Sequence, residues 1–171
     1  CVSHSALAQE PTKILVKFAV INMEKIRREA SAVTDINEQI KNFRIAFQAD
    51  VKKEEDELRA ANEELARQRA ILSTEAFAEE RRKFEQRLAA VQRSVQKRKQ
   101  ELDKAQTGAL IKVRETLHKI VLELANEESL TLIFRKNQTV LVAKPLEITD
   151  EVMARLNKAL PTVKVEKPGQ P

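Results

Sequence analysis

The residues Leu72-Ser73-Thr74-Glu75-Ala76-Phe77 separate two long series of apolar residues and decide the fold. In each series apolar side chains recur at steps of three and four, as in a coiled coil. The first series comprises Ile36, Ile40, Phe43, Phe47, Val51, Leu58, Ala61, Leu65 and Leu72, with Glu54 and Gln68 at two seam positions. The second comprises Phe77, Phe84, Leu88, Val91, Val95, Leu102, Ala105, Ala109, Val113, Leu117, Ile120 and Leu124, with Arg81 and Arg98 at two.

The step of five residues from Leu72 to Phe77 puts these two series out of phase. One straight helix cannot hold both series on the same face. We therefore predict two helices with a break at Ser73 and Thr74, either of which can cap a helix that starts at Glu75.

Charge predicts that the chain folds back at this break. Residues 50–64 hold seven acidic side chains, whereas residues 85–99 hold five basic ones and a single acid, Glu85. Opposite charges on two helices favour their antiparallel pairing. In that register the polar seam residues Glu54 and Arg98 fall one layer apart and can bridge. The apolar pairs then include Ile36 with Val113, Ile40 with Ala109 and Phe47 with Leu102.

Glycine and proline are scarce, which fits long helices. The chain of 171 residues has two glycines, and none of its five prolines lies between Pro11 and Pro145. With 33% charged residues and no Trp or Tyr, the composition indicates solvent-exposed helices and excludes an all-β sandwich or a Rossmann sheet. Phosphate-binding loops need closely spaced glycines, so we expect no nucleotide and no other cofactor.

Short elements precede the helical pair. The apolar, β-branched residues 14–21 predict a strand covered on both faces. Asn22 is placed to cap a short helix that starts at Glu24, and Ser31 or Thr34 to cap the first long helix.

Further short elements follow the helical pair. Residues 130–135 and 139–143 predict a β-hairpin with Asn137 at its tip. Thr149 and Asp150 are placed to cap a helix that ends near Ala159. Its inward-facing residues are predicted to be Val152, Met153 and Leu156.

The first residues resemble the end of an export signal. Ser5-Ala6-Leu7-Ala8 fits the small-x-small pattern that precedes cleavage. A ragged, disordered start is the alternative, and a lipoprotein cleavage before Cys1 is another. No apolar stretch approaches the ~20 residues that a membrane span needs, so we expect an exported, soluble protein.

The chain is thus predicted to be mainly α with a small β part. A long antiparallel coiled-coil hairpin protrudes from a small β-body. The predicted divisions are a signal-peptide remnant and disordered start (1–12), body (13–34), helical arms with a tip near 73–76 (35–126), body (127–159) and a disordered tail (160–171).

The segment Phe18-Ala19-Val20-Ile21-Asn22-Met23, the arm that carries Phe84 and Glu85, the strand at 130–134 and Ile148-Thr149-Asp150-Glu151-Val152 resemble the Skp/OmpH family of periplasmic chaperones for outer-membrane proteins. Their order and spacing carry the resemblance, which covers residues 13–159. The chain departs from the best-known members in lacking a glycine at the hairpin tip and in its Pro-rich tail.

The resemblance implies a homotrimer in which strands of three chains form the β-body and the arms surround a cavity. Three strands and a short helix cannot cover both faces of the first strand, so association is also expected on burial grounds. An intrachain core is the alternative role for the same side chains. The residues assigned to oligomerisation or the body core are Phe18, Val20, Leu132, Phe134, Val140 and Val142.

Basic side chains of the descending arm are the candidate client-binding surface. They are Arg81, Arg82, Lys83, Arg87, Arg93, Lys97, Arg98 and Lys99. Within the family, cationic arms are thought to attract unfolded outer-membrane proteins and lipopolysaccharide. An anionic membrane surface is negatively charged like lipopolysaccharide and is a further candidate partner. The competing interpretation is that these cations pair between helices and keep the arms soluble.

No catalytic or metal-binding group is predicted. His118 has no cysteine or second histidine near it in the sequence, so a structural or solvent-facing role is expected. With a net charge of +5 and no nucleotide motif, we expect an ATP-independent periplasmic chaperone that holds unfolded outer-membrane proteins. A coiled-coil structural or adaptor protein with one folded partner is the alternative. Nucleic-acid binding is disfavoured, because acids interleave the bases and no stacking aromatics accompany them.

Overall fold

A computed structural model describes residues 16–168 of the chain. The predicted signal-peptide remnant lies outside these residues. Two short 3₁₀ turns, Lys136–Gln138 and Lys144–Leu146, follow the second strand. The main elements are β1 (Phe18–Ile21), α1 (Met23–Glu29), α2 (Ser31–Gln68), α3 (Thr74–Glu127), β2 (Leu132–Arg135) and α4 (Thr149–Ala159).

Helices α2 and α3 form the predicted antiparallel hairpin. Helix α2 has 38 residues, so this ascending arm is roughly 57 Å long at ~1.5 Å per residue. The chain turns between Arg69 and Ser73, and Ser73 Oγ accepts a hydrogen bond of 3.2 Å from Ala76 N at the start of α3. The predicted break and cap are confirmed.

The predicted apolar seam lies between the two arms. Its positions are buried or half-buried along both helices, except Leu72 and Arg81, which are exposed near the tip. In the described stretch between residues 41 and 101, no side chain is fully buried. Two helices alone can cover only one stripe of each other, so the arms rely on their base for anchorage.

The base of the arms belongs to the main hydrophobic core. Helices α1 and α4 and the first and last turns of the arm pair pack together there. Fully buried members include Ile26, Ile36, Ile40, Leu124, Val152 and Leu156. The predicted inward face of α4 is confirmed at Val152 and Leu156, while Met153 is half-buried.

Two of the predicted helix caps are wrong. The residue before α2 is Ala30, which has no side chain that could cap the helix. The predicted caps Ser31 and Thr34 bond elsewhere, because Ser31 Oγ donates to Asn157 Oδ1 (2.9 Å) and Thr34 Oγ1 donates to the Ala30 carbonyl (2.9 Å). Thr149 likewise does not cap α4. Its buried Oγ1 accepts from Asn22 N (2.8 Å), and Asp150 Oδ1 accepts from Lys25 Nζ (2.7 Å), so both predicted capping residues of α4 make tertiary contacts instead. The Asn22 cap of α1 is confirmed, since Asn22 Oδ1 accepts from Lys25 N (3.0 Å).

The predicted β-hairpin is wrong in this chain. Strand β2 pairs in parallel with β1, with Phe18 opposite Leu132 and Ile21 opposite Arg135. The chain then enters the Lys136–Gln138 turn, and residues 139–143 form no strand within the described chain. The parallel pairing across the base of the arms replaces the local hairpin that residue propensities suggested.

The prediction of a disordered tail is also wrong for residues 160–168. Val163 and Val165 are 5% and 3% exposed and belong to the hydrophobic core. Val163 N donates to Asp35 Oδ2 (3.1 Å), and Val165 N donates to Gln39 Oε1 (3.0 Å). Burial of the two valines and these hydrogen bonds to α2 offset the conformational entropy that is lost when this Pro- and Lys-rich segment is ordered.

Glu54 and Arg98 meet in the seam, as predicted. Arg98 Nη2 lies 3.7 Å from Glu54 Oε1, and Glu54 Oε2 is buried with no hydrogen-bond partner among the described residues. Replacing Arg98→Leu removes the charge that balances this carboxylate, so the free energy of unfolding should fall by about 1–2 kcal/mol. Urea unfolding at fixed protein concentration measures the loss.

Two variants control this prediction. The double change Glu54→Leu/Arg98→Leu should recover the stability, because leucine packs in the seam without an unpaired charge. Arg87→Leu removes an exposed pair with Glu57 and should change the free energy by less than about 1 kcal/mol. Equal losses in Arg98→Leu and Arg87→Leu would contradict a special role for the seam pair.

Candidate functional site

The predicted client-binding cations all lie on α3, in two groups. Arg81, Arg82 and Lys83 lie near the tip, and the others lie along the middle of the descending arm. A continuous helix fixes their order along the arm. Arg98 lies in the seam and is half-buried, whereas the other seven are exposed.

The three cations near the tip pair with carboxylates of their own helix. Arg82 Nη2 lies 2.7 Å from Glu79 Oε1, and Lys83 Nζ lies 2.7 Å from Glu80 Oε1. Arg81 Nε is 3.6 Å from Glu85 Oε1. The hydrogen bond from Arg82 lowers the pKa of Glu79, and the hydrogen bond to Glu80 raises the pKa of Lys83. The tip group is therefore a set of exposed, locally balanced pairs.

Two mid-arm arginines cross to the acidic stretch of α2. Arg87 Nη2 lies 2.6 Å from Glu57 Oε2, and Arg98 Nη1 lies 3.4 Å from Asp50 Oδ2. These bridges link the acidic and basic stretches in the predicted antiparallel register. For Arg87 and Arg98, interhelical pairing is thus the observed role.

Three of the predicted cations remain for mid-arm contacts. Lys97 Nζ lies 3.8 Å from Glu101 Oε1, a loose pair within α3. Arg93 and Lys99 are exposed and form no ion pair with any residue that the structure describes. The structure does not bring the eight predicted cations into one patch, and it leaves Arg93 and Lys99 the most available for a partner.

A second basic surface lies at the base of the arms and was missed by the sequence analysis. The tail runs beside α3 there and adds its lysines to those of the helix. The shallow depression between them is lined by Lys97, Lys104, Lys112, Lys164 and Lys167, together with the carboxylates of Glu101 and Glu166. The alternation of valine with charged residues at 163–166 was the available signal for a docked tail.

The residues assigned to the body core divide into buried and exposed ones. Val20 is 3% exposed, whereas Phe18, Leu132 and Phe134 are 43%, 49% and 43% exposed. Val140 is fully exposed and Val142 is half-buried. The intrachain-core role therefore holds for Val20 and not for the three exposed strand residues.

The exposed strand residues form one apolar strip. Leu132 pairs with Phe18 and Phe134 with Val20 across the two strands, and the Phe18 and Phe134 rings contact edge to face with centroids 6.3 Å apart. We call Phe18, Leu132 and Phe134 the apolar strip. Contiguous exposed apolar side chains of this kind are typical of interaction surfaces.

His118 is exposed, and no group of three or more His, Cys, Asp or Glu side chains among residues 16–168 could hold a metal ion. None of the described helices has a stretch apolar and long enough to traverse a bilayer.

Comparison with known proteins identifies the family and the fold of the chain. A family model described as "Outer membrane protein (OmpH-like)" matches residues 17–156. A solved structure of a putative OmpH-like outer membrane chaperone from Caulobacter crescentus CB15 superimposes with a TM-score of 0.82 at 16% identity, covering 91% of this chain and 92% of that one. Curated protein sequences give no significant match. The two chains thus share a fold, and the family match over most of its length shows that this chain belongs to the OmpH-like family.

Proposed function

We propose that this protein is an ATP-independent holdase that captures unfolded outer-membrane proteins in the periplasm and prevents their aggregation. The observation that carries the proposal is the pair of long arms, half-buried along their seam and covered with exposed charges, standing on a compact base. Family membership and the shared fold with a putative outer membrane chaperone support a chaperone role.

The charged surface of the arms suits many weak contacts with a client. The ion pairs of Arg81, Arg82 and Lys83 are exposed, and such pairs contribute only about 0–1 kcal/mol each. An acidic segment of a client can therefore replace a local carboxylate at little cost. Arg93 and Lys99 need no such exchange. Several contacts of this kind hold a chain through avidity while each one exchanges quickly.

The net charge of +5 gives the whole chain the sign that attracts anionic partners. Electrostatic steering raises the rate of capture and weakens as salt is added. Lipopolysaccharide and an anionic membrane surface are also negatively charged and are further partners within this proposal.

A homotrimer supplies the enclosure. The sheet of β1 and β2 has two strands, and such a sheet is marginally stable by itself. Its apolar strip and the exposed Val140 and Leu141, which is 92% exposed, favour coverage by further copies of the chain. Three arm pairs then surround one cavity.

The first test of the holdase is suppression of aggregation when a urea-unfolded outer-membrane β-barrel is diluted into buffer. The variant Arg93→Glu/Lys99→Glu should capture the client about 3–10-fold more slowly at low salt, because it reverses the two cations of the predicted client-binding set that form no ion pair with the described residues. Light scattering during dilution follows aggregation of the client, and its dependence on chaperone concentration gives the rate of capture.

The matched control is Lys53→Glu/Arg59→Glu, which makes the same change in net charge at two exposed positions of α2. This control variant should slow capture of the client by less than half of the fold-change seen with Arg93→Glu/Lys99→Glu. Equal slowing in both variants would locate the attraction in net charge alone and contradict a client surface on α3. Saturable binding to one folded protein, without any effect on aggregation, would instead support an adaptor.

The trimer is tested by the native mass in solution. Sedimentation equilibrium should give three copies of the 19.5 kDa chain. Phe18→Asp/Phe134→Asp should yield monomers, because buried charges in the apolar strip oppose association. The control Ile71→Asp changes a residue that is 81% exposed at the arm tip and should leave the trimer intact. A wild-type monomer would overturn the assembly.

A further inference from the structure

The last described residues of the chain lie along the base of the arms in an extended conformation. Asp35 and Gln39, one turn apart on α2, contact this tail through its main chain. Gln39 Nε2 donates to the Val163 carbonyl (2.9 Å), and Gln39 Oε1 accepts from Val165 N (3.0 Å). Asp35 Oδ2 accepts from Val163 N (3.1 Å) and from Gln39 Nε2 (2.9 Å). These side chains bond to an extended backbone much as a neighbouring strand would.

The side chains of the tail alternate between the core and the solvent. Val163 and Val165 are buried, while Lys164 and Glu166 are exposed. This spacing of two is the pattern of an extended chain with one apolar face. A segment that binds in this place therefore needs only two branched apolar residues separated by a polar one.

The tail continues over a groove formed by both arms. Its far end, at Lys167 and Pro168, lies over a cavity lined by side chains of α2 and α3. We call the surface that holds residues 161–168 the base groove. Apart from Asp35 and Gln39, its arm residues include Phe43, Ala46, Phe47, Leu102, Ala105 and Ala109.

We propose that the base groove is a binding site for extended peptide segments, and that the tail occupies it as an internal competitor of the client. The competing ligand is a segment with alternating apolar and polar residues, the pattern of a strand from an outer-membrane barrel. The identity of this ligand rests on the proposed holdase function. The groove itself rests on the contacts of Asp35, Gln39, Val163 and Val165.

Charge decides which segments displace the tail. The rim of the groove beside the tail carries Lys97, Lys104 and Lys112 of α3 with one acid, Glu101, and at the far end of the groove the acid Asp50 is paired with Arg98 at 3.4 Å. The tail brings Lys164 and Lys167 to this rim with a single acid, Glu166, so it places like charges there. A segment with acids at the exposed positions gains attraction where the tail meets repulsion. Acidic strand segments are therefore the favoured occupants.

The direct test uses the full chain with Val163→Ser/Val165→Ser, which keeps the charge of the tail and removes its apolar face. A fluorescent synthetic peptide with the sequence of residues 161–168 should bind this variant at least about 10-fold more tightly than the wild type, whose tethered tail competes at ~mM effective concentration. Fluorescence anisotropy measures both affinities, and circular dichroism checks that the helices remain.

Two controls test the recognition. Adding Gln39→Ala to the variant should abolish peptide binding, because that side chain bonds to both valine backbones. A peptide with Ser in place of both valines should not bind. A third peptide, with Glu in place of both lysines, should bind about 5-fold more tightly than the tail sequence at low salt. Equal affinity of wild type and variant, or binding that survives Gln39→Ala, would overturn the proposal.

Hydrogen exchange on the wild type decides the matter if the double-serine variant does not fold. The amides of Val163 and Val165 should exchange slowly in the free protein and about 10-fold faster when the peptide with Glu in place of both lysines is present at mM concentration. Unchanged exchange would overturn the proposal. Peptide binding without suppression of barrel aggregation would retain the groove and refute the holdase function instead.

Discussion

The antiparallel seam between α2 and α3 is the constraint on which the rest of the structure depends. Two helices bury only one stripe of each other, so most of each arm stays in water and must be charged. The seam becomes buried only toward the base, at Ile36 and Ile40 of α2 and at seam residues of α3 from Leu102 to Leu124. A compact base and two solvated arms follow directly from this limit. The same limit leaves exposed the surfaces that the proposed holdase would use.

The ion pairs of the arms set the register and leave surface charge accessible. Arg87 and Arg98 reach across to acids of α2, whereas the cations near the tip bond within α3. Bonds across the helices resist a shift of one arm along the other. Pairs within one helix can exchange partners without moving either arm. One seam thus supports a fixed scaffold and a charged surface whose ion pairs can rearrange.

The sequence predicted what depends on local periodicity and missed what depends on distant contacts. The phase slip at Leu72 to Phe77 located the turn, and the opposed charge of residues 50–64 and 85–99 set the antiparallel direction. The parallel pairing of β1 with β2 joins segments separated by the whole hairpin, so no local pattern pointed to it. The tail appeared disordered by composition because its partners, Asp35 and Gln39, lie far away along the chain. The candidate cations were found as a set, but their pairing depends on side-chain geometry that spacing alone does not specify.

The proposed holdase keeps an unfolded barrel protein between its arms without folding it. The chain contains no Trp or Tyr, so tryptophan emission from a mixture with an outer-membrane β-barrel arises only from the client. We expect the client's tryptophan anisotropy to rise on binding while its emission keeps the wavelength of the unfolded state, and detergent micelles to restore the folded spectrum. Loss of the client to aggregates, or a folded spectrum in the bound state, would contradict the holdase function.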